Sequence, residues 1–159
     1  KYSGLGGVLV SDFEFNLNDM LVDTFNYILK YEEAALKKST NLPLTVTEAH
    51  ILEAIGRIGQ SATISEIASI LRVSLPTVTV AIKKLENKGF IKKQNCKVDG
   101  RRTIVELTES GEKANRAHSV FHRKMVKNIS RKFSEEEKEV LLCAIKKLNH
   151  FFKEKIEEK

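Results

Sequence analysis

The sequence predicts a mainly α-helical fold that carries a small β-hairpin, an α+β arrangement. Three observations lead to this prediction. Apolar residues recur at three- and four-residue spacing in six separate stretches. Three of these stretches open on a capping box, at Thr45/Glu48, Thr63/Glu66 and Ser134/Glu137. Between residues 90 and 107 the helical period gives way to two short strand-like runs on either side of Asp99-Gly100, a turn pair.

The N-terminal part contains an arm and one helix. Residues 1–12 are rich in Gly and Ser and predict a flexible arm. A helix is predicted from about Phe13 to Lys37-Lys38, where cations suit a helix C-terminus, before the break at Asn41-Leu42-Pro43. Its apolar stripe consists of Leu17, Met20, Leu21, Phe25, Ile28 and Leu29.

Three shorter helices follow. The second starts around Thr45 and stops by Gly59, and the third opens at Thr63. After a short turn, Ser74 caps the fourth helix, which has Pro76 in its first turn, where a missing N–H costs little. Lys88-Gly89 ends it, and glycine is the expected left-handed terminator.

The C-terminal half holds the hairpin and two long helices. The predicted strands are 90–93 and 103–107. Thr108 caps the fifth helix and Ser134 the sixth, so the element order is α-α-α-α-β-β-α-α.

Positive charge is concentrated in the middle of the chain. The whole sequence carries +6, whereas residues 57–102 alone carry +7, from ten Lys or Arg against three Asp or Glu. Such a patch favours polyanions, chiefly through counterion release from nucleic-acid phosphates. A solvated basic surface is the other interpretation of this charge.

Several classes of protein are excluded. No apolar run approaches the roughly 20 residues of a membrane span, so we expect a cytoplasmic protein without membrane contact. Cys96 and Cys143 form neither a CxxC unit nor a disulfide framework. The sequence has no phosphate-binding Gly loop, no nucleophile elbow and no carboxylate pair beside a histidine in a plausible pocket, which predicts a protein that is not an enzyme and uses no cofactor.

The fourth helix and the hairpin have the features of a DNA-binding unit. Two helices joined by a short turn and followed by a basic hairpin are typical of a winged helix-turn-helix, whose second helix enters the major groove. Hydroxyls near the start of the fourth helix and lysines one turn later suit bases and phosphates. The predicted contacts are Ser74, Pro76, Thr77, Thr79, Lys83 and Lys84. The hydroxyls could also be mere capping and solvated groups.

The turn of the hairpin is basic. Arg101 and Arg102 could enter the minor groove, where A·T-rich tracts concentrate negative potential. Asp99 is expected to pair with Arg101 across the turn and to hold the shape of the loop.

These motifs resemble those of MarR-family regulators. The run 99–108 resembles the family's wing signature D-x-R-…-L-T, which usually continues with a glycine, as Gly111 does here. Residues 73–79 and 85–91 resemble its recognition helix and the start of its first wing strand. The resemblance covers about residues 13–156 in element order.

The resemblance implies a homodimer. In this arrangement residues 41–108 form the winged helix-turn-helix domain, and helices in 13–40 and 109–159 interleave with those of a second copy. The sequence supports this independently, because the first and last helices carry broader apolar stripes than a small winged core can cover.

Within the family, the chain is most similar to repressors of fatty-acid biosynthesis genes in Gram-positive bacteria. The spacing from Val73 to Ile91 and the runs 48–50 and 118–125 carry this similarity. It implies a repressor whose DNA binding is enhanced by acyl groups on acyl carrier protein. A MarR-type regulator that answers a different small-molecule ligand is the alternative.

Histidines mark a candidate effector pocket. His118 and His122 stand four residues apart on one helix, a spacing that could bind a metal, but no Asp or Glu accompanies them at ligand spacing, so no metal site is predicted. Surface or interface histidines and the wall of an apolar pocket are the other interpretations. The resemblance favours a pocket near His50. The candidate pocket residues are His50, His118, Phe121, His122 and Met125.

Together these features predict a sequence-specific, DNA-binding transcriptional regulator, most simply a repressor. A two-fold dimer of this kind binds a pseudo-palindromic operator with half-sites about 10 bp apart. A winged-helix module that binds an acidic protein partner is the alternative function.

Overall fold

The computed structural model describes residues 11–40, 44–59, 62–95 and 103–158. The chain forms two compact units, residues 1–118 and residues 119–159. Most of the arm predicted at 1–12 lies outside the described residues.

The predicted fold class is confirmed. The helices are α1 (Asp12–Thr40), α2 (Val46–Ile58), α3 (Ile64–Leu71), α4 (Leu75–Asn87), α5 (Glu109–Ser130) and α6 (Glu135–Glu157). The strands are β1 (Ala62–Thr63), β2 (Ile91–Asn95) and β3 (Thr103–Leu107), which form an antiparallel sheet in the order β1-β3-β2. The sequence predicted all of these elements except β1, because two residues are too few to show a period.

Local capping explains where the helices begin. In each predicted box the hydroxyl of the N-cap residue accepts a hydrogen bond from the backbone of the glutamate, and the glutamate accepts one from the N-cap backbone. Ser74 caps α4 by accepting from the backbone N–H of Thr77. Arg72, with a φ of 53°, ends α3 in the left-handed conformation and thereby makes the tight turn into α4.

The core of the first unit lies among α2, α3, α4 and the sheet. Phe90, just before β2, is the largest of its fully buried side chains. One face of α4 belongs to this core, through Val78, Ala81, Ile82 and Leu85. This burial fixes the rotation of α4 about its own axis and therefore decides which of its side chains face outward.

The start of α5 contacts the start of β2 closely. Thr108 donates from its backbone N–H to the Phe90 carbonyl at 3.0 Å and from its hydroxyl to the Gly89 carbonyl at 2.7 Å. A Cβ on Gly111 would lie 2.0 Å from the Phe90 carbonyl oxygen. A side chain at position 111 would therefore force the two backbone segments apart.

A buried ion pair joins α2 to the end of α4. The Lys88 ammonium lies 2.7 Å from both carboxylate oxygens of Glu48, whose side chain is almost fully buried. Burial alone raises the pKa of Glu48, but the hydrogen bonds from Lys88 and from the Thr45 backbone outweigh it and hold the pKa below its usual value. The capping glutamate of α2 thus also anchors the C-terminal end of α4.

Within the described residues, no single helix is long and apolar enough to cross a membrane. The bent pair α3 and α4 meets the criteria of length and composition together, across a 115° break.

Replacing Gly111 with alanine is expected to lower the free energy of unfolding by about 1–3 kcal/mol, as for other overpacked sites. The reason is the collision of the new Cβ with the Phe90 carbonyl. Urea denaturation followed by circular dichroism measures the change. Ser110→Ala, at the exposed neighbouring position, is the control and should leave the midpoint nearly unchanged. Equal midpoints for both variants would contradict the close approach.

Glu48→Gln keeps the capping-box acceptor but removes the charge opposite Lys88. It should cost about 1–3 kcal/mol of unfolding free energy at neutral pH, as expected for a hydrogen bond to a charged group. Because the folded-state pKa of Glu48 is lowered, its stabilisation is complete above the unfolded-state value and is lost as pH falls through the folded-state value. The difference between wild type and variant should therefore shrink at acidic pH.

The matched control for this pair is Glu66→Gln, in the exposed capping box of α3, which should cost less than about 0.5 kcal/mol. If the two substitutions had the same effect at every pH, the anchoring role of Glu48 would be wrong.

Candidate nucleic-acid interface

The residues of α4 that the sequence predicted as DNA contacts are all exposed. The outward face of this helix has hydroxyl groups at its start and two ammonium groups in its middle, opposite the face that belongs to the core. The exposed residues are Ser74, Pro76, Thr77, Thr79, Lys83 and Lys84. In the part of the chain that the structure describes, neither of the two lysines has an ion-pair partner, so both charges face solvent.

The hydroxyls of this face also have local roles. Ser74 Oγ lies 2.8 Å from Thr77 Oγ1 and accepts from the Thr77 backbone. Thr79 donates its hydroxyl proton to the Leu75 carbonyl at 2.8 Å. A hydroxyl has one proton and two lone pairs, so Thr79 retains acceptor capacity toward a ligand while its proton is in use.

Two apolar residues of α4 that the sequence did not predict as contacts are also exposed. Leu75 and Val80 are 51% and 56% exposed on α4. The predicted contacts on α4 are Pro76 and polar residues, and Leu75 even continues the apolar spacing of Val78, Ile82 and Leu85, so exposure of these two side chains has no signal in the sequence. An exposed methyl group in a recognition helix can contact the C5-methyl group of thymine.

The surface continues from α4 to the beginning of α2. A groove of about 560 Å³ lies between them, with Thr77, Val80 and Lys84 on one side and Thr45 and Thr47 on the other. The N-terminus of α2 therefore borders the groove and adds the positive end of a helix dipole.

Both lysines of β2 are engaged in ion pairs. Lys92 lies 2.8 Å from Glu106 on the neighbouring strand, and Lys93 lies 2.6 Å from Glu86 at the end of α4. The second pair connects β2 to the C-terminal end of α4. The predicted wing residues Asp99, Arg101 and Arg102, together with Cys96, lie outside the described residues.

Two of the candidate effector residues lie together in the first unit. His118 Nε2 is 2.6 Å from Glu32 Oε1, and His50 Nε2 is 3.0 Å from the same oxygen. The two rings meet edge to face, with centroids 5.3 Å apart. This part of the predicted pocket is therefore polar rather than apolar.

Carboxylates near His118 were missed in the sequence because the fold, not local spacing, supplies them. Glu32 comes from α1, and Glu53, whose Oε2 lies 3.1 Å from His118 Nδ1, comes from α2. A separation of 86 residues between Glu32 and His118 leaves no signal in a local motif.

The other three candidate effector residues belong to the second unit. Phe121, His122 and Met125 are half-buried on α5, and the rings of Phe121 and His122 lie edge to face at 5.3 Å. His122 follows His118 by one helical turn, as predicted.

Comparison with known proteins places this architecture in a family. Residues 44–103 match the family model described as the MarR family. The transcriptional regulator ZitR of Lactococcus lactis subsp. cremoris is 30% identical over 115 residues, which is 70% of this chain and 78% of ZitR.

Solved structures agree with this match. The crystal structure of Streptococcus pneumoniae FabT in complex with DNA is 32% identical and covers 87% of this chain and 96% of FabT, with a TM-score of 0.82. The Staphylococcus aureus MepR–DNA complex has a TM-score of 0.75 and covers 89% of this chain and 99% of MepR. At 23% identity, that likeness concerns the fold alone. The chain belongs to the MarR family of DNA-binding transcriptional regulators.

Proposed function

We propose that this protein is a homodimeric repressor that binds a pseudo-palindromic operator through α4. The observation that carries the proposal is the outward face of α4, where hydroxyls, two methyl-bearing side chains and two solvent-facing lysines lie opposite a buried face. Its similarity to FabT, solved in complex with DNA, supports the same use of this face.

The groups on this surface suit two different parts of DNA. Thr77, at the N-terminal end of α4, is suited to base edges, because the first turns of a recognition helix enter the major groove. Lys83 and Lys84 lie farther along and are suited to phosphates. The N-terminus of α2, across the groove, offers a further phosphate contact.

Exposed apolar faces on α1 and α6 support the homodimer. On α1, Phe13, Met20 and Phe25 are each more than half exposed. On α6, Val140 and Leu142 are 70% and 59% exposed, and no residue of this helix is buried. Apolar surface of this extent on two helices is typical of an interface, and a second copy presents the same stripes.

The wing completes the proposed contacts. Arg101 and Arg102, beyond the described residues, enter the minor groove beside the half-site, and Asp99 shapes their turn. Steric exclusion of the polymerase from a promoter is the simplest mechanism of repression. A repressor of this kind acts where the chromosome lies, in the cytoplasm.

Control of fatty-acid biosynthesis genes is the more specific proposal for its targets. The runs 48–50 and 118–125 and the similarity to FabT support it. An acyl group on acyl carrier protein is the proposed effector, and a different small-molecule ligand is the alternative. Mass spectrometry of the molecules that co-purify with the protein distinguishes the two effectors. A fatty acyl species supports the acyl effector, and its absence favours a different small-molecule ligand.

Operator binding can be tested by titrating the protein against an A·T-rich palindrome and against random duplex at several salt concentrations. A log–log plot of affinity against salt should fall with a slope of about −0.9 for each phosphate contacted. The palindrome should bind by many-fold more tightly than random DNA. A flat salt dependence without any preference would favour the alternative, a winged-helix module for an acidic protein partner.

Single substitutions should distinguish base contacts in the major groove from contacts in the minor groove. Thr77→Ala should change the base preference at the half-site centre, whereas Arg101→Ala should weaken binding mainly to sites with A·T-rich flanks. A selection from randomised duplexes measures both. Thr24→Ala on α1 and Arg131→Ala after α5, both exposed, are matched controls. Uniform losses on all sequences for both test variants contradict these roles.

A further inference from the structure

A compact cluster of metal-type donors lies where α1, α2 and α5 meet in the first unit. Glu32 on α1, His50 on α2 and His118 on α5 each offer one ligand atom, and these atoms all lie within 4.8 Å of one another. The three residues are 18 and 68 positions apart along the chain, so only the fold brings them together.

The cluster is largely shielded from water. The side chains of Glu32 and His118 are 3% and 1% exposed, whereas that of His50 is 39% exposed. A carboxylate with this little solvent is costly unless positive charge compensates it. One Glu32 oxygen faces two ring nitrogens, so protons on the rings or a bound cation must lie between them. The open side at His50 gives an ion a path to the buried donors.

The geometry points to a binding site for a divalent transition-metal ion of the zinc class, held by Glu32, His50 and His118. Zinc bonds to imidazole nitrogen and carboxylate oxygen are about 2.0–2.2 Å long, which sets tetrahedral donors roughly 3.3–3.6 Å apart. Glu32 Oε1 now lies 2.6 Å and 3.0 Å from the two nitrogens. The donors therefore have to separate by less than about 1 Å to admit the ion.

Glu53 orients one of the ligands. Its Oε2 lies 3.1 Å from Nδ1 of His118, on the opposite side of the ring from Glu32. The two atoms are close but not aligned as a hydrogen bond, so the carboxylate acts through its charge, which favours a proton on Nδ1 and leaves the lone pair of Nε2 directed at the metal position. Histidine ligands in metalloproteins commonly have a carboxylate partner of this kind.

The donor set selects the class of metal. Two imidazoles and one carboxylate suit Zn²⁺ and its transition-metal neighbours, whereas Mg²⁺ and Ca²⁺ prefer oxygen ligands throughout. Three protein ligands leave one tetrahedral position for water or another donor.

An ion at this position would also act on the DNA-binding surface, an inference that rests on the proposed function. His50 and Glu48 are two residues apart on α2, and Glu48 anchors the end of the recognition helix through Lys88. An ion that joins α1 and α5 to α2 therefore stabilises one placement of α2, and α4 is tied to that helix. Operator affinity should change when the metal binds.

Direct metal titration tests the site without DNA. The untagged protein is freed of metal with a chelator and titrated with Zn²⁺, Co²⁺ and Mg²⁺. We expect one Zn²⁺ per chain, visible absorption bands of four-coordinate Co²⁺, and no competition by Mg²⁺. Absence of stoichiometric Zn²⁺ binding and of the Co²⁺ bands in the wild-type protein overturns the site, whatever the variants do.

Variants then assign the ligands. His50→Ala and Glu32→Gln should abolish the Co²⁺ bands, while Glu53→Gln should weaken Zn²⁺ binding by about 10- to 100-fold, the usual loss for a residue that orients a ligand. His150→Ala, which removes an exposed histidine on α6, should bind as the wild type does. Circular dichroism confirms that each variant is folded. Unchanged Zn²⁺ affinity in folded His50→Ala and Glu32→Gln overturns the assignment.

The effect of the metal on operator binding is measured separately. Operator affinity, measured at fixed salt with and without saturating Zn²⁺, should differ by about 5-fold or more, as is typical of coupled sites. Equal affinities overturn the regulatory inference. Zn²⁺ binding by a protein that binds no operator in either state contradicts the proposed function and leaves the metal site standing.

Discussion

The buried face of α4 is the constraint on which the proposed DNA-binding surface depends. Val78, Ile82 and Leu85 are essentially inaccessible to solvent, and their spacing allows only one rotation of the helix. Thr77, Thr79 and Lys83 then have to face outward. The Glu48–Lys88 pair adds a fixed point at the far end, and the Lys93–Glu86 pair connects the same end to the hairpin. Packing and two ion pairs thus orient the side chains of the outward face.

Much of this arrangement was predictable from the sequence because local rules and long-range packing agree. The capping boxes at Thr45, Thr63 and Ser134 coincide with the start of each apolar period, so two independent patterns mark the same boundaries. β1 was not predictable, since its two residues become a strand only by pairing with Val105 and Ile104. The collision at Gly111 was also hidden, because it depends on how close the Phe90 carbonyl lies in three dimensions.

The candidate site residues fall into the same two groups, those that local sequence predicts and those that only the fold brings together. The exposed residues of α4 could be predicted together, because neighbours in sequence share one short helix. Glu32 and Glu53 were not found, because they meet His118 only after α1 and α2 are packed against the start of α5. Leu75 and Val80 show a third case, because the contacts predicted on α4 are Pro76 and polar residues, and nothing in the sequence marks these two apolar side chains as exposed. Their exposure alone assigns them to the surface.

The position of Glu32 explains how chemistry at the cluster can reach the proposed dimer interface. Glu32 and Leu36, one turn apart on α1, are both buried, whereas Phe13, Met20 and Phe25 on the same helix are exposed. One rigid helix therefore joins a buried carboxylate to the apolar surface that a second copy would cover. An effector can change the distance between two recognition helices only if it favours one arrangement of such elements over another. A metal ion bound at Glu32 would alter the contacts among α1, α2 and α5 at their junction, and so meets that requirement.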